Sequence, residues 1–174
     1  LSRGLGDVYK RQERNLLKES GGIQDQIWAV YGGFNSIHIN KEGFNVRPMP
    51  LSLEFLDKFK THSLLIYTGR SRQSYKIAQS HDSKSSEVHK HEIRDLAESA
   101  YRIFEDENIG LLGKLLHQSW LAKKSISSLV SSDPVDQMYN DLRMNGMIGG
   151  KLLGSGGSGF IFGLFDSVDK RKKM

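Results

Sequence analysis

The residues best suited to chemistry lie in a loop near the end of the chain, Gly154-Ser155-Gly156-Gly157-Ser158-Gly159. Glycine has no Cβ, so such a loop can turn several backbone N–H groups toward one ligand, and phosphate is the usual ligand. A flexible hairpin tip has the same composition, and the loop alone does not separate the two. The spacing Gly154-x-Gly156-x-x-Gly159 matches two fingerprints and fits the context of neither. A dinucleotide fold needs the loop to open a helix, with an acidic residue about twenty positions on. Here a strand-like run follows and only 15 residues remain after Gly159, which disfavours a Rossmann-type oxidoreductase. A protein-kinase loop begins its domain and is followed by HRD and DFG elements, for which the tail has no room. No Walker A lysine motif occurs.

Two further groups carry charge in suggestive places. Asp25 follows Gly21 and Gly22 at the start of an apolar helical stripe. A carboxylate in a first turn ordinarily serves the helix dipole or the cap. Arg70 and Arg72 follow the run Ser63 to Thr68. Guanidinium groups at the end of a strand can pair bidentately with an anionic group, and a solvated loop is the alternative. His89 and His91 are two apart and so fall on different helix faces. With His81 they are expected to be exposed, and no metal site is assigned.

These groups need elements to position them. The runs Lys151 to Leu153 and Phe160 to Phe165 are short and suit strands, predicting strand, glycine loop, strand. Ile23, Ile27, Val30 and Tyr31 share a helical face that Gly32-Gly33 ends. Ser36–Asn40 and Phe44–Pro48 alternate about Lys41-Glu42-Gly43 and predict a β-hairpin. One side of it, Ile37, Ile39, Phe44 or Val46, is expected to be exposed. The run Ser63 to Thr68 predicts a buried strand. Three helices follow, with stripes Ile93, Leu96, Ala97, Ala100 and Phe104; Leu112, Leu115, Leu116 and Trp120; and Val135, Met138, Tyr139 and Leu142. The third is expected to have Asp133 as N-cap, Pro134 at its first position and Asn145-Gly146 at its end. The fold class expected is α+β, with helices clustered on one face of an antiparallel sheet.

Composition bounds the rest. The 174 residues suit one domain, or one domain plus part of another. Without cysteine there are no disulfides, thiolate zinc sites or cysteine nucleophiles. No apolar run approaches the roughly 18–20 residues that span a bilayer. A net charge of +5, scattered apart from Lys170–Lys173, favours small anionic ligands over nucleic acid. Residues 1 to 12 include GDVYKRQ, which resembles a translated adapter tail, so they are left out of fold reasoning. The sequence is expected to be a fragment at both ends.

Taken together, GGIQDQIWAVYGGFN, LLIYTGRSRQS, LLHQSWLAKKSIS and GGKLLGSGGSGF resemble, in order, segments of the galactokinase, homoserine kinase, mevalonate kinase and phosphomevalonate kinase (GHMP) superfamily. Within it they look most like the sugar kinases typified by D-glycero-D-manno-heptose 7-phosphate kinase. The resemblance covers roughly residues 13 to 165. It implies a remnant of an N-terminal domain at 13–62 and an incomplete ferredoxin-like C-terminal domain at 63–174. It also implies transfer of the γ-phosphoryl group of ATP, with Mg²⁺, to a hydroxyl of a sugar or sugar phosphate. A cytoplasmic location without nucleic-acid or membrane partners is expected. Asp25 matches the family's base, and Gly154, Ser155, Gly156, Gly157, Ser158 and Gly159 match its glycine loop. Gln24, Gly69, Arg70 and Arg72 fall on the substrate side. Ser158 stands where Gly is common, and would be costly there if the position needs positive φ. The family's main ATP loop, of the Pro-x-x-x-Gly-Leu-Gly-Ser-Ser type, would precede Glu13, together with the acidic side of the Mg²⁺ site. By itself the chain is therefore expected to be inactive. A non-catalytic nucleotide- or metabolite-binding module of the same fold is the alternative.

Overall fold

The computed structural model describes residues 23–69, 87–154 and 156–174, and for 87–90 the backbone alone. The chain divides into two compact units, Leu1–Pro50 and Leu51–Met174.

In the first unit, α1 (Gln24–Tyr31) buries Ile27, and Gly32 and Gly33 follow it with φ of 61° and 66°. The Gly32 N–H closes the helix on the Trp28 carbonyl at 2.7 Å. Strands β1 (Asn35–Asn40) and β2 (Gly43–Pro48) form the expected antiparallel hairpin, with Ile37 opposite Val46 and Ile39 opposite Phe44. Its turn rests on Asn40, whose Oδ1 accepts from the Glu42 and Gly43 N–H groups at 2.9 Å each. Ile39 and Phe44 are exposed, while Ile37 and Val46 are partly buried.

The second unit opens with α2 (Leu53–His62), a helix additional to those expected, whose sequence signals are ordinary. Ser52 caps it by accepting from the Phe55 N–H at 3.0 Å. The Ser52 N–H and hydroxyl in turn donate to the Glu107 carboxylate at 2.5 Å each, and these bonds hold that carboxyl below its ordinary pKa. This helix belongs to the second unit, which begins at Leu51. Helix α2 runs directly into β3 (Ser63–Tyr67), followed by α3 (Glu87–Glu105), α4 (Ile109–Ile126) and a 3₁₀ turn at Ser128–Val130. Then come α5 (Asp133–Met144), β4 (Met147–Leu152), β5 (Phe160–Phe165) and α6 (Val168–Lys172). The N-cap of α5 is Ser132, not Asp133. Asp133 instead lies in the first turn with Asp136, where their charge complements the helix dipole.

The strands pair antiparallel in the order β3-β5-β4. Among the described residues β3 lies at an edge rather than being the buried strand expected, and Leu65 and Tyr67 are both exposed. Helices also cover both faces of the sheet, not one. On one face Leu64, Ile66, Leu152 and Ile161 pack with Trp120, Val130, Val135, Tyr139 and Leu142. On the other, Phe162 and Leu164 pack with Phe55, Phe59, Ile109 and Leu112. Helix α4 contributes to both clusters through Trp120 and Leu112.

Its approach to β4 leaves no room for side chains. A Cβ on Gly149 would lie 1.9 Å from the Gly113 carbonyl oxygen, and one on Gly113 would lie 2.8 Å from Ile148. Gly149→Ala is therefore expected to lower stability by about 1–3 kcal/mol, since helix and strand must separate. Gly110→Ala, where the new Cβ meets only Asn108 Oδ1 at 3.4 Å, should be neutral or stabilising. Urea denaturation of both variants checks the contrast, and equal midpoints would refute it.

Candidate functional site

Strand β4 delivers the chain into the glycine loop and β5 takes it away, as the composition predicts. Gly154, Gly156, Gly157 and Gly159 have φ of 67°, 111°, 77° and 104°, a region open to glycine and costly for other residues. Ser158 is outside that region, so a serine there carries no such strain. The loop is pinned from several elements. The Thr68 N–H and hydroxyl both donate to the Gly159 carbonyl at 2.9 Å, and Lys123 Nζ donates to the Gly154 carbonyl. The Gly157 N–H donates to the Val130 carbonyl at 2.7 Å, and a Cβ on Gly156 would meet that same oxygen at 2.7 Å.

These pins change what the loop can offer. The N–H groups of residues 155 to 159 were expected to face phosphate, but that of Gly157 is committed to Val130. Those of Gly156, Ser158 and Gly159 donate to no described residue. Of these residues Gly156 is buried and Ser158 and Gly159 are partly buried. Ser155 lies outside the described residues, as do Arg70 and Arg72. Gly69 is exposed with φ 71°.

A polar chain supports β4 just before the loop. The Tyr139 hydroxyl donates to the Gly150 carbonyl at 3.0 Å and lies 2.9 Å from His117 Nδ1. Since the one hydroxyl proton goes to Gly150, Nδ1 must be the donor and Nε2 the unprotonated nitrogen of a neutral ring. Burial pushes the Tyr139 pKa up to about 12. Burial first, and the Arg143 charge second, hold the His117 pKa below its ordinary 6.5. The unfolded chain then binds a proton more readily than the folded one. This stability contribution is complete above about pH 6.5 and is lost as pH falls through the depressed folded value. Denaturation midpoints between pH 5 and 8 should fall toward acid more steeply in the wild type than in His117→Gln. Parallel pH profiles would show that His117 does not contribute.

A polar cleft of about 230 Å³ lies elsewhere, lined in part by Lys124, Ser131 and Asp136. Two of its charged side chains pair with each other. Lys124 Nζ and the Ser131 hydroxyl both donate to Asp136 Oδ1 at 2.7 Å. Asp133 also lines the cleft.

Gln24 and Asp25 are exposed in the first turn of α1. Ile23 occupies the N-cap position and no side chain caps the helix, so Asp25 is not the cap. It lies in the first unit and the glycine loop in the second. Among the described residues no group of three or more histidines and carboxylates could hold a metal ion.

Known proteins carry the same pattern. Residues 96–174 match the family model described as GHMP kinases C terminal. The chain is 31% identical over 164 residues to D-glycero-alpha-D-manno-heptose 7-phosphate kinase of Campylobacter jejuni, covering 91% of this chain and 48% of that protein. It thus spans about half of that relative's length. A putative sugar kinase from Campylobacter jejuni superposes with a TM-score of 0.72 at 28% identity, covering 99% of this chain and 50% of its own. Lactococcus lactis galactokinase complexed with galactose superposes with a TM-score of 0.71 at 16% identity, covering 99% of this chain and 53% of its own, a likeness of fold. With the glycine loop between its two strands inside the matched span, residues 96–174 are a GHMP kinase C-terminal domain.

Proposed function

We propose that the whole protein is an ATP-dependent kinase acting on a sugar or sugar phosphate of the heptose 7-phosphate type. The observation that carries this reading is the 31% identity to a heptose 7-phosphate kinase over 91% of this chain. The spare N–H groups of Gly156, Ser158 and Gly159 support it. Phosphoryl transfer is achieved mostly by positioning and charge stabilisation, and fixed backbone donors supply both without reorganising. ATP supplies the transferred group. Asp25 accepts the proton of the acceptor hydroxyl, and the loop N–H groups meet negative charge on the phosphates. Arg70 and Arg72 are assigned to the phosphate already on the sugar. A neutral sugar would not require them.

The test is ³¹P NMR of the full-length protein with ATP, Mg²⁺ and a panel of heptoses, heptose 7-phosphates and hexoses. A new phosphate ester with matching ADP release is expected for a heptose phosphate. ATP binding without turnover on any sugar would instead favour a non-catalytic binding module.

A further inference from the structure

Among the described residues, one face of the sheet is covered along only part of its length. Register places Leu65, Phe162 and Lys151 side by side across the three strands, and Tyr67 beside Phe160 one step nearer the glycine loop. Residues directly opposite in an antiparallel pair point to the same face. At the far end of this face α2 covers Phe162, whose ring stacks on Phe59 at 5.8 Å. Near the loop the described helices do not reach this face. Tyr67 and Phe160 are 52% and 43% exposed, with ring centroids 5.1 Å apart and planes tilted by 45°. Leu153, whose N–H pairs with the Phe160 carbonyl, is exposed beside them.

Lys151 stands at the boundary between the covered and open parts, diagonal to Phe160 on the same face. It forms no ion pair or hydrogen bond with any described residue. Burial alone holds its ammonium pKa below the ordinary value. A desolvated cation without a counter-ion is costly, and an arriving anion relieves that cost. The neighbouring surface suits a particular shape of ligand. Rings tilted by 45° do not make the flat-walled slot a planar base would fill. The C–H groups of a sugar ring can pack on either one.

We propose that this open end of the sheet face is a subsite for a phosphate-bearing sugar, with Lys151 taking a phosphate oxygen and Tyr67 and Phe160 the C–H face of the ring. The proposal rests on the kinase reading and adds to it a cation and a platform within the second unit.

Calorimetric titration of the full-length protein with sedoheptulose 7-phosphate, with sedoheptulose and with ATP tests it. Lys151→Met should weaken the sugar phosphate at least tenfold while leaving ATP binding unchanged, and Lys151→Arg should recover most of the loss. Phe160→Ala should weaken both sugars. Lys151→Met binding the sugar phosphate as tightly as wild type would overturn the proposal and leave the kinase reading standing. A loss confined to ATP would also overturn it, by making the anion a nucleotide phosphate. A wild-type protein that binds neither ATP nor sugar phosphate would remove both readings together. Should the Met variant misfold, acetylation of Lys151 in the wild type decides. Protection by sedoheptulose 7-phosphate but not by sedoheptulose is expected, and equal labelling with either would refute the site.

Discussion

Asp25→Asn in the full-length protein is expected to lower kcat by about 10²–10⁴-fold, the usual contribution of a general base, with ATP affinity unchanged. The amide keeps the shape of the carboxylate but cannot accept the hydroxyl proton. A purely structural role gives a different result. Asp25 is in the first turn of α1, where a negative charge stabilises by about 0.3–1 kcal/mol through the helix dipole. Losing that alone would lower the melting temperature slightly and leave turnover intact. Since the N-cap position is held by Ile23, no capping bond is lost in either case. Paired measurements of kcat and melting temperature therefore separate the two roles. Near-wild-type kcat in the Asn variant would return Asp25 to a structural part.

Trp120→Ala should cost the second unit about 3–5 kcal/mol, the range for truncating a fully buried aromatic. Trp120 is 1% exposed and belongs to the cluster of Val130, Tyr139, Leu152, Ile161 and Phe165. Its ring lies 6.0 Å from that of Tyr139. The cavity would open in the cluster containing Val130, whose carbonyl holds the Gly157 N–H. Loss of stability and loosening of the glycine loop should thus appear together. Leu53→Ala, at a residue 84% exposed, serves as the control and should shift stability by less than about 0.5 kcal/mol. Urea denaturation followed by far-ultraviolet circular dichroism measures both, with hydrogen exchange at Gly157 reporting the loop. A Trp120 variant within about 1 kcal/mol of wild type would mean that this cluster is not the core of the unit.

Local chemistry was enough to locate much of this protein. Four glycines within six residues between two apolar runs could hardly be anything but a loop between strands, and the stripes on α4 and α5 announced their buried faces. Asn145-Gly146 likewise marked the end of α5. The short α2 is legible too, since Ser52 with Phe55, Leu56 and Phe59 carries a cap and a helical stripe.

Other features depended on residues distant in sequence, and no local pattern could supply them. The run SLLIY is as apolar as a central strand, yet Leu64 and Ile66 meet the core while Leu65 and Tyr67, on the opposite face, are left exposed. Gly149 looks in sequence like one more glycine before the loop, and only the approach of Gly113 on α4 makes its missing Cβ indispensable. Composition showed that the loop has backbone donors. It was the position of Val130 that took the Gly157 N–H out of use, and the open end of the sheet face that left Lys151 without a described partner. Backbone preference is local and can be read along the chain. Which polar groups remain unpaired after folding depends on what the rest of the chain brings against them, and that only the tertiary structure decides.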